Sequence, residues 1–255
     1  MQKLSVVLAT YNEEKNLPDC LDSVKDIASE IIIVDGDSSD KTVELAKKYG
    51  AKVHITANHP IFHINKQKAI DMAKEKWVLQ LDADERLSPE LREEIRKVLK
   101  ENNEKINGYW IPRKNYFLGR YLLKGGQYPD YTLRLYKNGS GRLPQKDVHE
   151  QAVVIGEVGY LKNPLIHMAD KNFSRYYMRW DRYTDLIARE LQKKKSNYNP
   201  IITIKYLILL PFWWFMMTYA RHKGFMDGWQ GFVFSFFSAL RFPVGYIKCI
   251  TKNYE

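Results

Sequence analysis

Asp82 and Asp84 flank Ala83 directly after the apolar run Trp77-Val78-Leu79-Gln80-Leu81. Alternation at a strand end turns both carboxylates to one side, and the small Ala83 lets a ligand approach between them. Two carboxylates placed so suit a hard divalent cation, Mg2+ or Mn2+, which takes oxygen ligands and keeps several waters. Such an ion neutralises the charge that develops on a departing diphosphate. An isolated Asp-x-Asp reads more readily as a polar turn at a strand end. Companion clusters elsewhere in the chain tip the balance toward a site.

The first companion is Thr10-Tyr11-Asn12-Glu13 and the second Asp35-Gly36-Asp37-Ser38. Thr10 and Tyr11 can offer backbone groups and a ring, and Asp35 can accept hydrogen bonds from a base edge. Lys66 lies at a predicted helix start, in Phe62-His63-Ile64-Asn65-Lys66-Gln67-Lys68-Ala69. A cation and free N–H groups there suit a phosphate.

These residues need elements to hold them. Leu4-Ser5-Val6-Val7-Leu8-Ala9 and Ile31-Ile32-Ile33-Val34 are short and rich in β-branched side chains, so they read as buried strands. Ala51-Lys52-Val53-His54-Ile55 and Trp77 to Leu81 read as two more strands. Helices are predicted after Asn16-Leu17-Pro18, from Asp40 to Lys48, from about Ile64 to Glu75, and after Ser88-Pro89. Strands alternating with helices imply an α/β fold with parallel βαβ units, whose ligands bind beyond the carboxyl ends of the strands. All three polar clusters sit at such ends. The stretch from Asn107 to Met168 is less regular and reads as a smaller sheet region on the acceptor side.

The ordered segments Ser5-Val6-Val7-Leu8-Ala9-Thr10-Tyr11-Asn12-Glu13, Ile33-Val34-Asp35-Gly36-Asp37-Ser38-Ser39-Asp40 and Leu81-Asp82-Ala83-Asp84-Glu85 resemble glycosyltransferase family 2 over most of residues 3 to 100. Asn65 to Ala69, His149-Glu150 and the tail from Gly224 to Gly231 are similar to the lipopolysaccharide core glucosyltransferase subgroup, which extends the likeness over nearly the whole chain. The resemblance implies an A-type glycosyltransferase fold: Rossmann-like, with a mostly parallel twisted sheet flanked by helices. It implies an inverting, single-displacement transfer from a nucleotide-diphosphate sugar, UDP-glucose or a related UDP-sugar, to a lipid-anchored glycan acceptor such as lipopolysaccharide core. Thr10, Tyr11, Glu13 and Asp35 would hold the nucleoside, Asp82 the ribose and phosphate region, and Asp84 the metal. Many relatives have Asp then Gly where this chain has Gly36 then Asp37, so either Asp35 or Asp37 faces the base. Inversion needs a general base, normally a carboxylate. Glu150 occupies the place that the subgroup implies, and Asp130 is the reserve. Arg113 and Arg134 are candidates for an anionic acceptor or the diphosphate. The Gln-x-x-Arg-Trp signature of processive synthases is reduced to Met178-Arg179-Trp180, which favours addition of a single sugar.

Two rival readings differ in class. A sugar-phosphate nucleotidyltransferase should carry a Gly-rich, Arg- and Lys-containing loop after the first strand, which Ala9 to Glu13 is not. A non-catalytic membrane-bound nucleotide-sugar sensor would keep the binding motifs without turnover.

The net charge of +10 is concentrated at one end: residues 171–255 hold 14 Lys/Arg against 5 Asp/Glu. That region is also rich in Trp, Phe, Leu and Ile, a mixture that an anionic membrane surface attracts and that a nucleic-acid groove does not need. Ile201 to Tyr219 approaches the roughly 20 residues of a bilayer span but contains Lys205 and Pro211. Phe225 to Ile250 carries Asp227, Arg241 and Lys248. The expected organisation is a catalytic domain over 1–170 and a helical membrane-associating extension over 171–255, peripheral or monotopic on the cytoplasmic face of the inner membrane. Met1-Gln2-Lys3-Leu4 runs into a strand pattern, so no secretion signal is expected. Cys20 and Cys249 share no disulfide or zinc spacing, which fits a reducing compartment. The pattern sets no oligomeric state.

Overall fold

Val6 and Leu8 enter one hydrophobic core while Val7, between them, enters another, so the first strand is buried on both faces. That is why its sequence is a continuous apolar run rather than an alternating one. A computed structural model describes residues 2–59, 61–101, 103–144, 151–193 and 200–252. Its strands are β1 (Leu4–Thr10), β2 (Glu30–Asp35), β3 (Lys52–Ile55), β4 (Trp77–Leu81), β5 (Glu85–Leu87), β6 (Ile106–Phe117), β7 (Arg120–Tyr121), β8 (Asp130–Lys137), β9 (Gly141–Arg142), β10 (Val153–Val154), β11 (Glu157–Tyr160) and β12 (Leu165–Asp170). Five helices accompany them: α1 (Leu17–Val24), α2 (Thr42–Lys48), α3 (His63–Asp71), α4 (Pro89–Glu101) and α5 (Phe173–Lys193). Beyond α5 come a helical run, Pro200–Arg221, and the helix Gly228–Thr251.

The main sheet has the order β3-β2-β1-β4-β8-β6-β12-β5, with β11 and β7 also on β6. β3, β2, β1 and β4 are parallel, as the βαβ pattern predicts. The middle of the chain builds one small separate sheet, β9 antiparallel to β10, but most of its strands join the main one. β8 pairs antiparallel with β4 and β6 antiparallel with β8, so these strands lengthen the same sheet. The result is a mixed sheet, wholly parallel in its first half and mostly antiparallel beyond β4, where β11 still pairs parallel with β6.

One face of that half is covered by α1 and α4, whose buried residues recur at helical spacing: Leu17, Cys20, Leu21 and Val24 in α1, and Leu91, Ile95, Val98 and Leu99 in α4. The Ser88 hydroxyl caps α4 by accepting the Leu91 N–H at 3.1 Å, as the Ser-Pro start predicts. Ala69 and Ile70 of α3 lie in the core of the other face with Val7, Ile32 and Val78.

The chain divides into two compact units, Met1–Arg113 with Asp130–His167, and Lys114–Pro129 with Met168–Glu255. The second unit therefore takes in a short excursion between β6 and β8 besides the C-terminal helices. Its core sets Phe117, Leu122, Tyr176 and Trp180 against Phe234 and Phe237. A second cluster joins Ala188 and Leu191 of α5 to Tyr246 and Cys249.

Candidate active site

The carboxyl ends of β2, β1 and β4 lie side by side. Thr10 is the register partner of Asp35, and Leu8 that of Leu81, so Asp82 follows one residue beyond an aligned pair. The Thr10 hydroxyl donates to Asp35 Oδ2 at 2.6 Å. Asp35 is fully buried and accepts two more bonds, from the Ser38 N–H at 2.7 Å and the Ser38 hydroxyl at 2.8 Å. Those three bonds shape the loop after β2. The Asn12 N–H reaches the Ser38 hydroxyl at 2.8 Å, and Asn12 accepts the Ser39 N–H at 2.9 Å, which stitches the first two loops together.

Asp37 is exposed and adopts φ 65, a left-handed conformation that Asp tolerates better than most residues. A Cβ on Gly36 would lie 3.1 Å from the Asn58 Cβ. The Gly-Asp order thus puts the glycine where the backbone is crowded and leaves Asp to take the left-handed turn. Tyr11 is 47% exposed, with its ring available to a ligand. Glu13 accepts from the Asn16 amide at 2.7 Å, and its own N–H reaches the Thr42 hydroxyl at 2.8 Å.

At the third strand end, Asp82 is held by two buried cations. Lys66, in the first turn of α3, pairs with Oδ1, and Arg134 of β8 reaches Oδ2 at 2.7 Å. Burial alone would raise the Asp82 carboxyl; Arg134 and Lys66 override it and hold the group well below the usual carboxylate range. Burial likewise lowers the Lys66 ammonium, against the pull of Asp82. The Lys66 N–H is not free, because it bonds the Phe62 carbonyl at 3.1 Å, and the ammonium sits 4.6 Å above the Phe62 ring. Glu85, also fully buried, accepts the Asp82 N–H at 3.0 Å and Arg134 at 2.8 Å, with Arg113 at 3.6 Å. Arg113 makes a two-pronged contact with Asp130 at 2.9 and 2.7 Å. The two arginines are therefore engaged with acidic side chains of the site.

Asp84 faces a different partner. Its Oδ1 lies 3.6 Å from His167 Nε2, and both side chains are partly open to solvent. The pairing follows from topology: β12 runs antiparallel to β5 with His167 opposite Glu85, next to Asp84. A carboxylate and an imidazole converging so closely fit a divalent ion that draws its remaining ligands from water and a diphosphate. Among the described residues no cluster of three or more His, Cys, Asp or Glu has metal-binding geometry. Glu150, with His149, lies outside the described residues. His167 has no signal in the sequence, since a lone histidine on a strand says nothing until its pairing with β5 is known, and Glu85 and Ser38 lie in the sequence clusters without a role of their own there.

The family model for Glycosyl transferase family 2 matches residues 5–152, more than half of the chain and all three strand-end clusters. The chain belongs to glycosyl transferase family 2. A relative of this family 2 protein, the lipopolysaccharide core biosynthesis glycosyltransferase LpsC of Rhizobium meliloti, is 31% identical over 257 residues, covering 93% of this chain and 91% of that protein. A glycosyltransferase of Rickettsia typhi is 28% identical over 245 residues, covering 91% of this chain and 82% of the relative. Among solved structures, the mannosyltransferase PcManGT of Pyrobaculum calidifontis, in complex with GDP-Man and Mn2+, superposes with a TM-score of 0.55 at 12% identity, over 99% of this chain and 88% of that one. TarS 1–349 of S. aureus, in complex with UDP-GlcNAc, gives 0.51 at 18% identity, over 93% and 79%. The A-type α/β fold of the family 2 chain is thereby shown.

Proposed function

We propose that this family 2 transferase moves a single sugar from a UDP-sugar, UDP-glucose first among candidates, to a lipid-anchored glycan of the lipopolysaccharide core type, with inversion. The observation that carries the reading is the side-by-side placement of three polar strand ends, one of them bearing Asp82 and Asp84. The likeness to LpsC, and the sugar nucleotides named for PcManGT and TarS, support it.

In this reading Tyr11 stacks on or borders the base, while Thr10, Glu13 and Asp35 shape and line the nucleoside pocket, with Asp37 at its rim. Asp82, fixed between Lys66 and Arg134, faces the ribose and phosphate region. Lys66 contributes positive charge where the diphosphate leaves. Asp84 and His167 would hold Mg2+ or Mn2+, which when bound supplies charge neutralisation for the departing UDP. The acceptor hydroxyl oxygen attacks the anomeric carbon as its bond to the diphosphate oxygen breaks. Glu150 takes the hydroxyl proton, with Asp130 in reserve. Attack from the face opposite the leaving group inverts the anomeric centre. The basic, apolar extension over 171–255 keeps the enzyme on the cytoplasmic face of the inner membrane, where lipid-anchored acceptors are concentrated.

The test is a donor panel. UDP-glucose, UDP-galactose, UDP-GlcNAc and GDP-mannose are incubated with the protein, Mn2+ or Mg2+ and truncated lipopolysaccharide, and products are read by mass spectrometry and NMR. A single added hexose of inverted configuration is expected. Repeated additions, retention of configuration, or no product with any donor would contradict the proposal.

A further inference from the structure

The helix Gly228–Thr251 is flanked along its length by two others. On one side α5 runs parallel to it: Trp180 Nε1 donates to the Phe237 carbonyl at 2.7 Å toward the middle of that helix, and Gln192 donates to the Cys249 carbonyl at 2.8 Å near its C-terminal end. Lys248 also reaches Asp181 at 2.6 Å and Asp185 at 2.9 Å. On the other side Pro200–Arg221 runs antiparallel. Tyr206 stacks on Tyr246, Trp214 donates to the Ser238 hydroxyl at 2.8 Å, and Tyr219 meets Phe232 edge to face.

The two outer helices differ in character. α5 exposes Phe173, Tyr177, Met178 and Tyr183 over its first half but carries Arg182, Arg189, Glu190 and Lys193 exposed along its second half, besides Asp181 and Asp185. Pro200–Arg221 leaves Ile201, Ile204, Ile208, Phe212, Trp213 and Met216 exposed, with Phe212 at 69%. Trp229, Phe232 and Phe236 add exposed apolar area at the turn end of the next helix. Both C-terminal helices are long and apolar enough to cross a bilayer, 22 and 28 residues with the turn included. Yet α5, about 31 Å long at 1.5 Å per residue, is bonded along the same axis. A transverse Gly228–Thr251 would carry the charged face of α5 through the roughly 30 Å hydrocarbon layer.

We infer that the three helices form a layer lying in the plane of the membrane, with Pro200–Arg221 sunk into the leaflet and the charged face of α5 toward water. The occupant of the apolar face is an anionic lipid leaflet. The aromatic side chains on that face suit the interface, and the basic excess of 171–255 suits its charge. This inference rests on the membrane-surface reading above and adds its geometry: no helix of the extension crosses the bilayer.

Sided labelling of the full-length chain tests it. His222→Cys and Lys252→Cys place exposed thiols near the two ends of Gly228–Thr251, and the unsubstituted chain, whose Cys20 and Cys249 are buried, is the control. Each variant is expressed in a Gram-negative host and treated with a membrane-impermeant maleimide in intact spheroplasts and in inverted inner-membrane vesicles. Both thiols should react in inverted vesicles and neither in spheroplasts. Reaction of the two from opposite sides, with the protein still in the membrane, would overturn the in-plane layer alone. A purified protein that fails to float with phosphatidylethanolamine–phosphatidylglycerol vesicles would overturn the membrane reading itself. Phe212→Glu, at a site already exposed, should keep the fold and lower vesicle partitioning at least tenfold; unchanged partitioning would show that another face meets lipid and would overturn the layer's orientation.

Discussion

Asp82 is fully occupied: one oxygen pairs with Lys66, the other with Arg134, and its N–H is held by Glu85. In the proposed mechanism, metal ligation therefore falls chiefly to Asp84, with His167 beside it. Asp84→Ala is expected to lower metal-dependent UDP release at least 100-fold, about 2.7 kcal/mol of transition-state stabilisation. Thermal stability should change little, because the Asp84 side chain is partly open to solvent; a collapsed melting transition would refute the assignment. Glu85→Gln should do the reverse in stability, since it removes a buried charge facing Arg134 and Arg113, at a cost of about 3 kcal/mol. Denaturant titration measures that loss. Glu150→Gln is expected to bind UDP with an unchanged Kd and to turn over at a background rate. Normal turnover in that variant would pass the base role to Asp130.

At the scale of elements, Glu30 is a fastener. Its carboxylate accepts from the Ser5 hydroxyl of β1 at 2.6 Å, from Lys52 of β3 at 2.7 Å and from the Lys74 N–H ahead of β4 at 2.8 Å. Burial would raise its pKa, but these donors bring it down from 4.5 to about 2. A depressed carboxyl stabilises the fold above its unfolded pKa, and that contribution disappears as pH falls through the folded value. Glu30→Gln should therefore cost about 3 kcal/mol at pH 7 and almost nothing near pH 2, a difference that urea titrations across pH 7 to 2 would reveal. A pH-independent cost would contradict it. Asp227 fastens the second unit in the same way. Buried at 2% exposure, it accepts the N–H groups of Leu123 and Lys124 at 3.0 and 2.7 Å, with Arg120 at 3.7 Å. Asp227→Ala would strand both donors and cost about 2 to 3 kcal/mol, read as a lower unfolding midpoint.

Those elements also mark what the sequence made legible. β1, β2 and β4 could be placed because each is a short β-branched run ending in a polar cluster, and α4 because Ser88 and Pro89 announce its start. α3 stops at Asp71 rather than near Glu75, and most strands of the stretch from Asn107 join the main sheet, with β9 and β10 pairing apart. Neither was readable, since β4 with β8 and β5 with β12 are long-range pairings that local periodicity does not encode. His167 was invisible for the same reason.

For the whole molecule, fold and proposed chemistry meet in one arrangement. Parallel strands bring their polar ends together at one edge, as open α/β sheets do. All the described residues of the proposed site belong to the first unit, Met1–Arg113 with Asp130–His167. The expected division at 170 and 171 describes roles, and it remains a proposal. Titration of UDP with Mn2+ against three variants, one at each strand end, tests the arrangement most directly: Tyr11→Ala, Asp35→Asn and Asp84→Ala. Each should stay folded and weaken UDP binding at least tenfold, because all three ends serve one nucleotide. A folded Asp35→Asn or Tyr11→Ala protein that binds UDP as tightly as the unsubstituted chain would contradict it.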